Sequence, residues 1–386
     1  MSDTRQPGNL RRLQTACFLT TFDRFAMPPM LVAIAADLNV PLAQIAAAAG
    51  AYYLAYGLMQ PVWGVLSTRI GLATTMTWSI TLGSLATLAS ALVHDVTALA
   101  IARGVAGALF AAAFPAALIY VGATAPSHRR HREVAELMTG VALGTALSTV
   151  IAGSVTYLVG WRWAFAFSGA LCLACFFYVV GIVELERLGM RAPFIAPLRR
   201  VLSNAKVYQL LALAVLDGAG ILGVLTFVPA AVETTGRNAA SAAAITAVYG
   251  LAVLVAAPLV GRWSGRFAVS RFIAFGALVG AAACGLLAFS VGLAAAIVAC
   301  ALLGFSWASM HSGLQTWATE VTPAERGLTV SFFAGSLFAG SALAAAVGGP
   351  FAERLEFPVL FGAAAIVLVT VGLTGYIARA RWEHQH

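Results

Sequence analysis

Residues 13–35 read LQTACFLTTFDRFAMPPMLVAIA, an apolar run of helix length that carries Asp23 beside Arg24 near its middle and Pro28 and Pro29 just beyond. About twenty mostly apolar residues cross the hydrocarbon core of a bilayer as a helix. Runs of this kind recur to the end of the chain, parted by short polar breaks, over 43–66, 72–93, 96–122, 133–158, 162–184, 206–229, 239–261, 271–290, 293–317, 326–349 and 357–379. The expected fold is therefore an all-α membrane protein of twelve transmembrane helices. Composition excludes a large soluble core: 61% of the 386 residues are hydrophobic, 10% are charged and the mean hydropathy is +0.89. Soluble domains carry roughly 25% charged residues.

An even number of spans puts both termini on one side. Of the 23 Lys and Arg residues, Arg162, Arg237 and Arg354 fall in loops on the opposite side, Arg24 and Arg103 fall in spans, and the other 18 lie on the side of the termini. Basic loops stay inside, which predicts cytoplasmic termini in a cell membrane such as a bacterial inner membrane. The net charge of +8 reflects the same asymmetry, because HRRHR at 128–132 and PLRR at 197–200 border spans on the inner face; no nucleic-acid partner is expected. Arg11 and Arg12 precede the first span as in a signal peptide, but that span is too long and holds two charges, so it reads as a retained anchor. Cys17, Cys172, Cys175, Cys284 and Cys300 all fall in spans and imply no disulfide framework. Cys172 and Cys175 form a C-x-x-C inside LCLACFF without a nearby His or carboxylate, so neither a metal nor a cofactor is expected.

The longest polar stretch between spans, ELERLGMRAPFIAPLRRVLSNAK at 184–206, divides the chain into a six-helix bundle at 1–183, a central loop, and a second six-helix bundle with a short tail at 207–386. An offset of 197 residues pairs Tyr52 with Tyr249, Pro61 with Pro258, Gly64 with Gly261, Arg69 with Arg266, Gly107 with Gly304, Pro126 with Pro323 and Arg129 with Arg326. Matched Tyr, Pro and Arg at one offset point to a duplication, and so to two pseudo-symmetric halves around a central cavity.

This layout resembles the major facilitator superfamily of transporters, whose halves are parallel repeats about the membrane normal. The loop GVLSTRIGLA at 64–73 is similar to the superfamily signature Gly-x-x-x-Asp-Arg-x-Gly-Arg/Lys-Arg/Lys: Gly64, Arg69 and Gly71 match, Thr68 stands at the acid, and Leu72 and Ala73 stand at the bases. The second copy, GRWSGRFAVS at 261–270, keeps Gly261 and Arg266 and has Gly265 at the acidic position. The resemblance implies a gating loop that latches the halves together on the cytoplasmic side. ARGVAGALFAAAFPAA at 102–117 resembles the superfamily's Arg-x-x-x-Gly pattern through Arg103 and Gly107, and GWRWAF at 160–165 resembles the start of its sixth helix. GVALGTALSTVIAG at 140–153 is similar to the antiporter pattern Gly-x-x-x-Gly-Pro, with Thr145 in place of the proline.

At about 1.5 Å rise per residue Asp23 lies roughly 15 Å into the first helix, where an unpaired charge costs several kcal/mol. Consecutive helical residues do not face one another, so Arg24 is a poor partner. Arg103, about seven residues into a helix running the other way, comes within roughly 5 Å of the same height. An Asp23–Arg103 pair is expected, read either as a permanent brace or as a proton-coupling site whose acid alternates between carboxylate and neutral form. Arg24 then either snorkels or offers a cation to an anionic substrate. Pro28 and Pro29 should bend the outer half of the first helix.

Asp217 lies in LDGAGILG at 216–223, the counterpart of the Asp23 region. The run matches G-x-G-x-x-G, but no βαβ unit surrounds it; glycines beside a buried acid indicate a deformed helix, and Asp217 is a second candidate for proton coupling. Tyr52, Tyr56 and Gln60 form a polar stripe repeated by Tyr249, and are expected to bind substrate or to link helices. Phe110, Phe114 and Trp307, with Phe332 and Phe333, offer apolar substrate contacts. His311, four residues after Trp307, is expected toward the cytoplasmic end, as a satisfied neutral histidine rather than a proton carrier, and is counted among the candidate binding residues.

No nucleophile with a base at usable spacing and no P-loop occurs, so neither an enzyme nor a primary pump is expected. Secondary transport of a small organic solute by a monomer is. The resemblance to drug:proton antiporters implies proton-coupled export of a hydrophobic or amphipathic compound. Asp23, Arg24, Asp37 and Leu38 instead resemble the first-helix Asp-Arg and later Asp-Leu of anion:cation symporters, which implies proton-coupled uptake of an organic anion, although Phe110 stands where those proteins carry a glutamate. The export reading is preferred. The reading from another class is a membrane receptor or scaffold that transports nothing.

Overall fold

The computed structural model describes residues 9–185, 195–263 and 265–384, so residues 186–194 of the expected central loop lie outside the described part. Among the described residues twelve helices cross the bundle: α1 (Asn9–Leu38), α2 (Leu42–Ile70), α3 (Leu72–Ser90), α4 (Val96–Thr124), α5 (Ser127–Val159) and α6 (Trp161–Val179) in the first half. The second half holds α7 (Ala205–Glu233), α8 (Ala239–Trp263), α9 (Val269–Phe289), α10 (Leu293–Glu320), α11 (Arg326–Glu353) and α12 (Phe357–Glu383). A short helix, Ile195–Leu202, precedes α7. The halves meet where α2 packs on α11 and α5 packs on α8.

Eleven of the twelve are long and apolar enough to span on composition alone; α3, rich in Ser and Thr, is the exception. Several of its hydroxyls are satisfied inside the protein: Ser84 donates to the Ile80 carbonyl at 2.6 Å and Ser79 to the Leu109 carbonyl at 2.7 Å. Polar groups satisfied in this way remove the cost of placing them in an apolar medium.

Several helices are broken where the sequence withdraws backbone donors. In α1 the α-helix stops at Ala26, Pro28–Met30 form a 3-10 turn, and Leu31–Leu38 resumes until Asn39, at φ +51°, ends it. In α4 the helix opens between Val96–Phe110 and Ala113–Thr124, just before Pro115. The Trp63 indole donates to the freed Ala108 carbonyl at 2.7 Å.

Two glutamates cap matching helices in the two halves. Gly71, at φ +122°, turns the chain from α2 into α3, and the Glu184 carboxylate accepts the backbone N–H groups of Ala73 at 3.2 Å and Thr74 at 2.8 Å. Glu383 accepts the N–H of Ser270 at 3.2 Å and its hydroxyl at 2.7 Å at the start of α9. Carboxylates here satisfy orphan donors and face the positive end of the helix dipole. The cap explains why α6 ends at Val179, short of the predicted 184: the chain leaves the helix to bring Glu184 across to α3.

The end of the bundle that carries the termini and the far end differ. On the far side every residue from Phe25 to Leu31 of α1 and from Gly220 to Val232 of α7 is buried, and the 3-10 turn of α1 packs against α7. Toward the termini, Asn9 to Arg12 of α1 and Tyr208 and Gln209 of α7 are partly or fully exposed. The structure is closed on the far side.

Candidate functional site

Asp23 sits at the heart of the first half, fully buried. Its carboxylate receives Arg103 Nη2 at 2.8 Å and Nη1 at 3.3 Å, and the Thr87 hydroxyl at 2.6 Å; Arg103 Nη2 also reaches the Asp23 carbonyl at 3.4 Å. The predicted α1–α4 pair is therefore present, with a third member from α3 that the sequence reading omitted. The guanidinium carbon lies 4.7 Å from the Tyr52 ring centre and 4.9 Å from that of Phe165. Such a charge-assisted, two-pronged pair between aromatic faces is the strong form of the interaction.

Arg24, one residue on, points the other way, toward the junction of the halves. Its Nη2 donates to the Thr21 hydroxyl at 3.2 Å and the Tyr56 hydroxyl at 3.4 Å, and its carbon lies 4.6 Å from the Tyr56 ring and 5.0 Å from that of Phe338 in α11. Phe338 itself packs on Tyr56, ring centres 4.6 Å apart, and stacks on Tyr53 at 6.4 Å. Gln60 is buried next to Tyr56. Among the described residues no carboxylate lies within ion-pair distance of Arg24, and its Nε is buried without an acceptor. Of the two counter-ions weighed for Asp23, the structure selects Arg103 and frees Arg24.

In the second half Asp217 ends the α-helical part of α7, and Gly218–Gly223 continue as a π-helical turn. The glycines are required by proximity: a Cβ on Gly218 would overlap the Leu337 carbonyl of α11. A second π turn, Trp307–His311, interrupts α10 at matching depth. The two meet, with His311 Nδ1 2.8 Å from Asp217 Oδ2. The imidazole stacks on Trp307 at 3.8 Å and lies 5.5 Å from Phe333. Asp217 Oδ1 is buried with no donor among the described residues. His311, expected toward the cytoplasmic end, stands nine residues before the end of α10 at Glu320, and the π turn brings it onto Asp217. Tyr249 of α8 lies within electrostatic reach of both Asp217 and Arg24.

Phe110 does not join either group. It is fully buried between α4 and α3, its ring against Gly83, inside the first half. Phe114, past the break in α4, is half-buried against the core.

A family model described as Major Facilitator Superfamily matches residues 15–242 and 210–385. The chain belongs to the Major Facilitator Superfamily. Among solved superfamily folds it superimposes on a mutant form of the nucleoside transporter NupG, with TM-score 0.77 at 13% identity over 94% of this chain and 98% of that one. It also superimposes on a bacterial homologue of the human lysosomal transporter Spinster, inward-facing and unoccupied, with TM-score 0.75 at 17% identity over 96% of both chains. In sequence it is 28% identical over 237 residues to a probable transporter, SCO4007, of Streptomyces coelicolor, covering 60% of this chain and 55% of the relative. It is 34% identical over 140 residues to the hexuronate transporter of Escherichia coli K12, covering 35% of this chain and 31% of the relative. The matched stretches thus span about half and a third of those relatives' lengths.

As a superfamily member the chain is a multi-pass membrane protein with a transporter fold. Its loop signature is unevenly used. Gly64 faces Ser331 of α11, to which a Cβ would approach within 3.0 Å, and Gly71 holds the turn over Glu184. Arg69 and Arg266 are exposed and make no ion pair among the described residues, and a Cβ on Gly261 would meet nothing within 4 Å. The carboxylate at this loop comes from Glu184.

Proposed function

We propose that the protein is an alternating-access transporter for a small organic anion, held by its carboxylate at Arg24. The observation that carries this is the position of Arg24: a guanidinium at the junction of the halves, flanked by Tyr56 and Phe338, without an acidic partner among the described residues. A cation left uncompensated in a low-dielectric interior is costly, and an incoming carboxylate supplies the missing charge in the two-pronged geometry guanidinium favours. Tyr52, Tyr56, Gln60, Tyr249 and Trp307 would contact the rest of the solute. Phe110, buried within one half, would not.

Two findings support this over export of an amphipathic cation. Asp23, the acid on which cation export was to rest, is fully occupied by Arg103 and Thr87. The Escherichia coli relative is a hexuronate transporter, and hexuronates are organic anions. The distribution of basic residues favours a cytoplasmic terminal side in a cell membrane, and with the far side closed we read the state as inward-facing. We take 1–183 and 207–386 as the moving halves, 184–206 as their joint, and the protein as a monomer.

The test is ligand-dependent thermal stabilisation of the purified protein by sodium glucuronate, benzoate and lactate against tetraphenylphosphonium. Stabilisation by carboxylates in wild type, with affinity lower by about 100-fold in Arg24→Gln as for a lost charged hydrogen-bond pair, supports the reading. Stabilisation by the lipophilic cation alone returns the export reading.

A further inference from the structure

The structure holds one buried acid on the first helix of each half, Asp23 and Asp217, and their partners differ in one chemical respect that matters for proton transfer. Arg103 cannot release its proton, so protonating Asp23 would leave a bare guanidinium sealed inside the first half. His311 can release its own. Asp217 and His311 therefore exchange between states whose net charge differs by one without stranding a fixed ion.

We propose that the Asp217–His311 pair carries the coupled proton, taking up one each time a carboxylate-bearing solute docks on Arg24, so that anion and proton cross together one to one. This rests on the organic-anion reading of Arg24. The argument is charge balance in a low-dielectric interior, where a net charge is what makes movement costly. Without solute, Arg24 as a cation and the pair as Asp217 carboxylate with neutral His311 sum to zero. A bound carboxylate alone makes the sum minus one. A proton from water on the open side, added to the pair, restores zero. Only the empty and the doubly loaded protein are neutral, and these are the forms that change access.

The surroundings allow the pair to act alone. Among the described residues on the helices packed around it, Tyr249 of α8 is within electrostatic reach of Asp217, and Cys284 of α9 lies one turn away with its sulfur 4.0 Å from the Gly220 carbonyl. Tyr249 is also within electrostatic reach of Arg24 of α1 and Tyr53 of α2. Arg262 and Arg271 lie at the ends of α8 and α9, and the charges of α11 and α12, Arg326, Glu353 and Arg379 among them, also lie toward helix ends. Asp217 Oδ1, buried and without a donor among the described residues, is an open acceptor for the added proton. The two π turns bring the groups together, and such turns recur at functional sites.

The experiment is glucuronate binding to the full chain in detergent from pH 5.5 to 8.5, with proton uptake followed in weakly buffered solution. Wild type is expected to lose about tenfold in affinity per pH unit above the titration of the pair and to take up one proton per glucuronate bound, as one-proton linkage requires. Asp217→Asn, a fixed stand-in for the neutral acid, is expected to take up none and to bind with an affinity flat in pH. A structural role for Asp217 would instead lower affinity by the same factor at every pH, and retention of the wild-type slope in Asp217→Asn overturns the proposal. So does loss of the slope in Asp23→Asn while Asp217→Asn keeps it. Should Asp217→Asn not fold, His311→Gln replaces it: a shifted midpoint supports the pair, an unchanged curve overturns it. If wild type binds no carboxylate at any pH, the Arg24 reading has failed, and this inference falls with it.

Discussion

Asp23 and Arg24 are neighbours in sequence and belong to different structures. Their side chains leave α1 about 100° apart, so one is sealed into its own half and the other is delivered to the junction. Asp23→Asn should leave Arg103 buried and unpaired and lower stability by about 3 kcal/mol, as for other broken buried pairs, read as a fall in thermal midpoint in detergent. Removing both charges, in Asp23→Asn with Arg103→Gln, should recover part of that loss; an equal or greater loss would mean the pair is not what the two residues contribute. The pair was legible in the sequence because helix rise fixes relative height. Thr87 and Phe338 were not, because hydropathy tells nothing of which way a hydroxyl or a ring turns about its helix. The contact of His311 with Asp217 was not foreseen for a related reason: a π turn changes the rotation per residue, and nothing in WASMH announces one.

The spans were readable as elements from length and apolarity, with α3 included despite its hydroxyls. The breaks at Pro28, Pro29 and Pro115 and the distortion at Gly218–Gly223 follow from withheld donors and missing side chains. The matched caps were not readable, because Glu184 and Glu383 stand 199 residues apart while α3 and α9 begin 197 apart, so a test at one offset passes over them. Glu184→Ala and Glu383→Ala should each lower stability by about 1 kcal/mol, the typical cost of a lost N-terminal cap, and the losses should add because the sites are in different halves; thermal unfolding of the two single variants and the double variant checks this. Packing sets a sharper contrast among glycines. Gly218→Ala would drive a methyl into the Leu337 carbonyl, whereas at Gly122 an added Cβ meets nothing within 4 Å. The first substitution should abolish folded protein on size-exclusion chromatography, and the second should leave it intact or raise its stability by about 0.5 kcal/mol, the helix preference for Ala.

At the scale of the whole molecule, each half has an acid on its first helix facing its fourth, Asp23 with Arg103 and Asp217 with His311, although the 197-residue offset sets Asp217 against Thr20 and His311 against Phe114, so the pairs are not copies of one another. The first pair carries a fixed cation and the second an imidazole, and on the proposed reading the first is a rigid brace and the second the responsive site. The far side is closed by α1 against α7, and alternating access requires that closure to open. In a cysteine-free background, Val228→Cys, fully buried in α7, should react several-fold faster with a membrane-impermeant maleimide added from the far side during turnover than at rest; equal rates would mean that this end does not open.

The most direct measurement follows solute and proton flux together in vesicles of known protein orientation, under an imposed pH gradient, with glucuronate, benzoate and tetraphenylphosphonium as probes. The account predicts that a carboxylate and protons move in the same direction in a ratio of about one, and that both fluxes vanish in Arg24→Gln. Movement of the lipophilic cation against the protons, with the carboxylates left behind, would contradict it.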